Sequence, residues 1–184
     1  LFDSAPISIW EEDFSAVKPS LDELPASARA DLDSYLRENP QVVADCVALV
    51  KVLDVNQATL ELLEEVDKAS LLGGLAVALT PDSRAVFQQE LGAIARGQTR
   101  LRTDAVVITP SGRRREVTLD WAVVAGHEQD YSRVLLSLVD LTERRRAEAH
   151  AQRQLARLAA LRAIDLAMNA SLDVQLTLWL VLDQ

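Results

Sequence analysis

SRVLLSLVDLTERRRAE, residues 132–148, is an unbroken apolar run that passes straight into a charged helix. Val134, Leu135, Leu136, Leu138, Val139 and Leu141 are apolar at both parities, as expected of a strand covered on both faces at the centre of a sheet. Asp140 stops the run. Asp140 and Glu143 stand at capping-box spacing and Thr142 is a second candidate N-cap, so a helix opens at Glu143 and continues through RRRAEAHAQRQLARL. A central strand tied directly to an outgoing helix suits a device that passes an event inside a domain along a rod.

The chain has 184 residues, enough for one ordinary domain and something extra. Hydrophobic residues at 49% beside charged residues at 26% describe a core-forming chain. The net charge of -9 argues against nucleic acid as a partner, because that binding rests on Lys and Arg neutralising phosphates. Cys46 is the single cysteine, which excludes an internal disulfide and any zinc site built on several cysteines. No stretch reaches the length of a membrane span and LFDSAPISIW lacks a signal-peptide pattern, so membrane contact is not expected in this part of the chain and a cytoplasmic setting is.

Outward from residues 132–148, the remaining elements follow in order. ISIWE, residues 7–11, reads as a first strand, and the cluster Glu11, Glu12, Asp13 as its solvated end, since adjacent side chains on a strand point to opposite faces. Residues 21–49 have helical spacing broken at Pro25 and at Asn39-Pro40, giving one or two turns and two helices, with Cys46 as a packed thiol on the second. VKVLDVN, residues 50–56, alternates as a second strand ending at Asn56, and a short helix follows it. A helical turn at 68–72 precedes a helix that starts at Pro81 and ends at Gly97, with Val86, Phe87, Leu91, Ile94 and Ala95 on one stripe. Residues 101–109 and 114–125 flank Pro110-Ser111-Gly112 as a hairpin, in which Val117, Leu119, Trp121 and Val123 share the core face. The pattern is α+β, with helices against one antiparallel sheet.

Residues 138–144, where the last strand ends in Asp-hydrophobic-Thr-Glu-Arg, resemble the C-terminal signature of PAS domains. The second strand running into Asn56 and a Leu-rich helix is similar to the same family. The resemblance spans residues 1–148 and implies a five-stranded antiparallel sheet with flanking helices, cupping a small pocket and followed by a long C-terminal helix. It implies a sensory or dimerisation module ahead of an output such as a histidine kinase or a cyclic-dinucleotide synthase. One departure is large: the family's first two strands form a hairpin, whereas here residues 14–49 form a helical insertion. The domain expectation is therefore 1–141 for the sensor with that insertion, 142–170 for a signalling helix and 171–184 for the truncated start of a following domain. The run SLDVQLTLWLVLDQ in that last part resembles the entry helix of a GAF domain.

Haem-binding members of the family carry a His on the helix before the third strand, and residues 81–96 contain none. Its flavin photosensors carry a reactive Cys in an Asn-Cys-Arg setting, and no Cys follows Asn56. Neither cofactor is expected, and no other is identified. His127 in a polar loop and His150 on the exit helix read as solvated, and HAQRQL lacks the residues that follow a phosphoacceptor His. Any small-molecule ligand is expected among Trp121, Leu119, Leu136, Leu138 and Asn56. Signal transmission is assigned to Asp140, Thr142 and Glu143, and metal binding and catalysis to no residue. The exit helix carries a seam of Leu155, Leu158, Leu161, Ile164 and Met168, with Ala151 before it, so a homodimer is expected through it; the alternative is that the stripe packs back on its own domain. The reading is thus a non-enzymatic signal-input module of a multi-domain protein, with a ligand-free dimerisation scaffold as the alternative.

Overall fold

A computed structural model describes residues 2–73, 81–160 and 162 of the chain. The chain divides into two compact units, Leu1–Leu141 and Thr142–Gln184. Of the expected seam, Leu161, Ile164 and Met168 lie outside the described residues, as does the GAF-like run at 171–184.

In the first unit the strands are β1 (Ser8–Asp13), β2 (Lys51–Val55), β3 (Arg100–Ile108), β4 (Arg114–Val123) and β5 (Val134–Asp140). They form one five-stranded antiparallel sheet in the order β2-β1-β5-β4-β3, so the apolar run Val134–Asp140 lies at its centre. Between β1 and β2 come α1 (Val17–Asp22), α2 (Ala26–Ala30), α3 (Leu32–Glu38) and α4 (Pro40–Leu49). Next are α5 (Gln57–Leu63) and α6 (Ala69–Leu72), and α7 (Pro81–Ala95) precedes β3.

The insertion therefore holds four short helices where the spacing gave two helices and loose turns. Pro25 occupies the N-cap of α2, and Asp31 breaks the pattern again by capping α3, its carboxylate accepting from Ser34 N at 3.2 Å. Pro40 sits in the first turn of α4, where its missing N–H costs nothing. The insertion is part of the core rather than an appendage: Phe14, Val17, Leu21, Leu36, Val43 and Val47 are all buried in the cluster that also holds the sheet's inner face. Gln88 on α7 donates to the Leu36 carbonyl at 3.3 Å, joining α3 to the helix that covers the sheet.

The strands follow the period-two rule with one instructive break. Along β1, Ser8, Trp10 and Glu12 point inward and the residues between them are half-buried. Across the sheet Trp10 pairs with Leu136, which pairs with Trp121, and that row forms the floor of the core. Opposite Glu11 and Glu12 the β1–β2 register slips by one residue, because Asp54 faces Glu11 and Val52 faces Glu12. This bulge lets Val52 and Val55, three apart, both be buried while Leu53 turns out. The expectation that β5 is covered on both faces is corrected: Val134, Leu136 and Leu138 are buried, but Leu135 is 38% exposed. Its second face is apolar in sequence without being enclosed among the described residues.

Candidate functional site

Asn56 is placed by chemistry that the strand-to-helix transition needs. It is fully buried and caps α5, its Oδ1 accepting from Thr59 N at 3.1 Å and from Ile9 N at 3.0 Å. Its Nδ2 donates to the Ile7 carbonyl at 2.8 Å. One amide thus joins the end of β2, the start of α5 and the edge of β1. Its side chain is committed to the frame and does not line the cavity described next.

Between the inner face of the sheet and α7 lies a cavity of about 80 Å³. Leu119, Leu136 and Leu138 of the expected ligand set line it, together with Trp10 from β1 and Val86 and Phe87 from α7. Trp121 lies in the same inward row but does not line it. Phe14 stands edge-on to its ring at 5.8 Å and Tyr131 stacks on it at 6.1 Å. Phe14 also stacks on Phe87 at 6.4 Å, so the first residue of the insertion fills one end of the space under the sheet.

Two acids face this mostly apolar space. Glu12 comes from β1 and Glu90 from α7, at 0% and 3% exposure, and both border the cavity. Neither carboxyl oxygen of Glu12 has a hydrogen-bond partner, and the indole Nε1 of Trp10 on the same wall has none either. Burial pushes the Glu12 carboxyl up to about 8. Burial, and then the charge of Glu12, push Glu90 well above the ordinary carboxylate range. At neutral pH the Glu12 carboxyl therefore keeps its proton, and Glu90 is pushed in the same direction. A buried, unpaired acid is costly to the fold, and such sites cluster where ligands bind.

The sequence reading placed Glu12 in a solvated strand end, and the structure corrects it. The signal was present in the parity of β1, since Glu12 shares the face of Trp10, and in the position of Glu90, inside the stripe of Val86, Phe87, Leu91 and Ile94. Residue type masks that signal, because charged side chains are rarely enclosed.

Asp140 closes β5, opposite Val117, and its Oδ2 accepts from Arg115 Nη1 at 2.9 Å. Leu141 N donates to the Glu116 carbonyl at 2.8 Å, which extends the strand pairing by one residue. The carboxylate is thus used in an ion pair at the end of the central strand, and the second unit is helical from Thr142 rather than from Glu143. Within that helix Glu143 pairs with Arg146 at 3.0 Å and Arg144 with Glu148 at 2.9 Å. Leu155 and Leu158 are 66% and 62% exposed.

Neither Cys46 nor either histidine of the chain lines the cavity. The thiol of Cys46 is buried in α4, away from the cavity lining, and burial, then the charge of Asp45, push it up to about 11. His127 lies in the loop before β5, with Nδ1 2.7 Å from Ser132 Oγ, and His150 is exposed on the exit helix. Among the described residues no group of three or more His, Cys, Asp or Glu could hold a metal. The volume is also well under the several hundred Å³ usual for a drug-sized ligand. Among the described residues, no helix is long and apolar enough to cross a membrane.

No protein-family model matches the sequence, and no curated protein is detectably similar to it. Solved structures do match the fold. The LOV domain from the Erythrobacter litoralis EL346 blue-light activated histidine kinase aligns with a TM-score of 0.50 at 13% identity, over 75% of this chain and 98% of that one. The PAS domain of a protein from Colwellia psychrerythraea aligns with a TM-score of 0.50 at 12% identity, over 77% of this chain and 92% of that one. The Rhodobacter sphaeroides LOV protein aligns with a TM-score of 0.50 at 14% identity, over 76% of this chain and 62% of that one. The five-stranded antiparallel sheet with its flanking helices and C-terminal helix is therefore the PAS and LOV fold.

Proposed function

We propose that the first unit is a sensory input module of a signalling protein, one that binds a small molecule under its sheet and is not itself a catalyst. The observation that carries this reading is the cavity with two buried acids on the inner face of the strand that ends at Asp140. Leu136 and Leu138 are at once cavity wall and central strand, so a ligand that favours one packing of the wall shifts the strand with it. Asp140, held by Arg115, and the residues Thr142 and Glu143 carry that shift into the exit helix. Through Leu155 and Leu158 the helix joins two copies, and its register reports the state of the cavity. One neighbour in fold is a domain of a histidine kinase, which supports an output of that kind; a cyclic-dinucleotide enzyme is the other candidate from the sequence.

The test is disulfide crosslinking of single Cys substitutions along residues 153–168, in the native-cavity protein and in Ala105→Phe, which fills the cavity from β3. A sensor gives a crosslinking pattern that moves when the cavity is filled. One pattern common to both proteins favours the scaffold reading and overturns the sensor.

A further inference from the structure

The cavity also carries information about what enters it. Its lining is apolar except for Glu12, Glu90 and Ser83, and no basic side chain borders it among the described residues. The two acids come from opposite walls, one on β1 and one on α7, so their carboxyls converge on one space. Both oxygens of Glu12 lack a partner although the residue is fully enclosed. An acid pair with no basic side chain beside it is complementary to a ligand that brings the positive charge itself.

The geometry points to a compact organic cation, an ammonium on a small branched apolar body, as the ligand of this cavity, its head between Glu12 and Glu90 and its body against Leu119, Leu136 and Leu138. The inference rests on the reading of the cavity as a ligand site and adds the ligand's charge class. A volume of about 80 Å³ admits only a few heavy atoms without rearrangement. Binding has a proton consequence. Glu12 and Glu90 are the titratable groups that face the cavity from β1 and α7, and α5, β3, β4 and β5 contribute none to its lining. Because burial holds the free Glu12 carboxyl protonated at neutral pH, a bound ammonium displaces a proton to solution. Affinity then rises with pH up to the titration of Glu12 near 8, by as much as about tenfold per unit.

The experiment uses three ligands with one body: 3-methylbutylamine, 3-methylbutan-1-ol and 3-methylbutanoate. Calorimetry against the full chain at pH 6, 7 and 8, in two buffers of different ionisation enthalpy, reads affinity and proton release together. The amine is expected to bind at least about tenfold more tightly than the alcohol at pH 8, to weaken toward pH 6, and to release close to one proton at pH 6 and about half a proton at pH 8. Glu12→Gln, which keeps the shape and removes the charge, is expected to abolish the preference for the amine and to leave binding of the alcohol in place. Equal binding of the amine and the alcohol, tighter binding of the carboxylate, or no proton release overturns the charge class while leaving a ligand cavity. Binding of none of the three overturns this inference, and the cavity's role as a ligand site falls with it only if the amine and alcohol also fail to shift the backbone amide signals of Leu136 and Leu138.

Discussion

Glu12 enters the folded state with its carboxyl pushed up to about 8 by burial, whereas the unfolded chain titrates at the ordinary value of 4.5. Between those pH values the folded protein holds a proton that the unfolded chain has released, so raising the pH favours unfolding. The Glu12 contribution to stability is greatest below about 4.5, falls by up to about 1.4 kcal/mol per pH unit toward 8, and is flat above. Glu90 acts with the same sign. Groups lowered by hydrogen bonds, Asp31 by Ser34, Glu64 by Ser111 and Asp130 by Ser132, contribute on the acid side and lie outside this window. Urea unfolding of the wild type should therefore show a falling midpoint from pH 5 to pH 8. Glu12→Gln should flatten that slope and exceed the wild type at pH 8 by a few kcal/mol. An unchanged slope in the variant would mean that the carboxyl is paired or solvated in solution. The residue scale is also where sequence reading was weakest. A lone Glu at a strand end is indistinguishable by type from a solvated one, and only the inward parity set by Trp10 identifies it.

The strands and their hairpin were legible because each carries its own signal: alternation in β4, the Pro-Ser-Gly turn between β3 and β4, and the apolar run of β5. The insertion was legible as helical but not in its divisions, because Pro25 and Asp31 restart the chain within a few residues and leave helices too short to show a period. The bulge in β2 was not legible, since it depends on what lies opposite Glu11 and Glu12 rather than on β2 itself. Leu119 could be placed on the inner face from the alternation of β4, whereas in β5, apolar at both parities, the sequence alone does not separate Leu136 and Leu138 from Leu135 and Val139. Trp121 could not be excluded from the cavity, because the covering ring of Phe14 belongs to another element. Two substitutions test the elements. Asn56→Ala removes the cap of α5 and the acceptor for Ile9 N–H together, and should cost about 3 kcal/mol in denaturant unfolding. Leu36→Ala, inside the insertion, should cost about 2 to 5 kcal/mol and lower the stability of the whole sheet in one transition. A separate early transition for the insertion, with the sheet's midpoint unchanged, would show it to be an independent appendage.

The charge along the chain separates the two fates open to the exit helix. Residues 142–160 hold five arginines and two glutamates, a net charge of +3, whereas the whole chain carries -9. Two such helices side by side repel, and the exposed Leu155 and Leu158 must outweigh that repulsion by burying their side chains against the partner copy. Salt screens the repulsion, so a dimer formed through this helix should tighten as ionic strength rises. A basic helix attracted to the acidic remainder of its own chain should instead be released by salt, with no concentration dependence. Sedimentation at several protein concentrations in 50 and 500 mM NaCl distinguishes the two. The expected outcome is a monomer–dimer equilibrium that shifts toward dimer at the higher salt and is abolished by Leu155→Lys with Leu158→Lys, while the melting of the first unit is retained. A dimer that survives the double substitution would move the interface to another surface, and with it the route by which the cavity's state reaches an output domain.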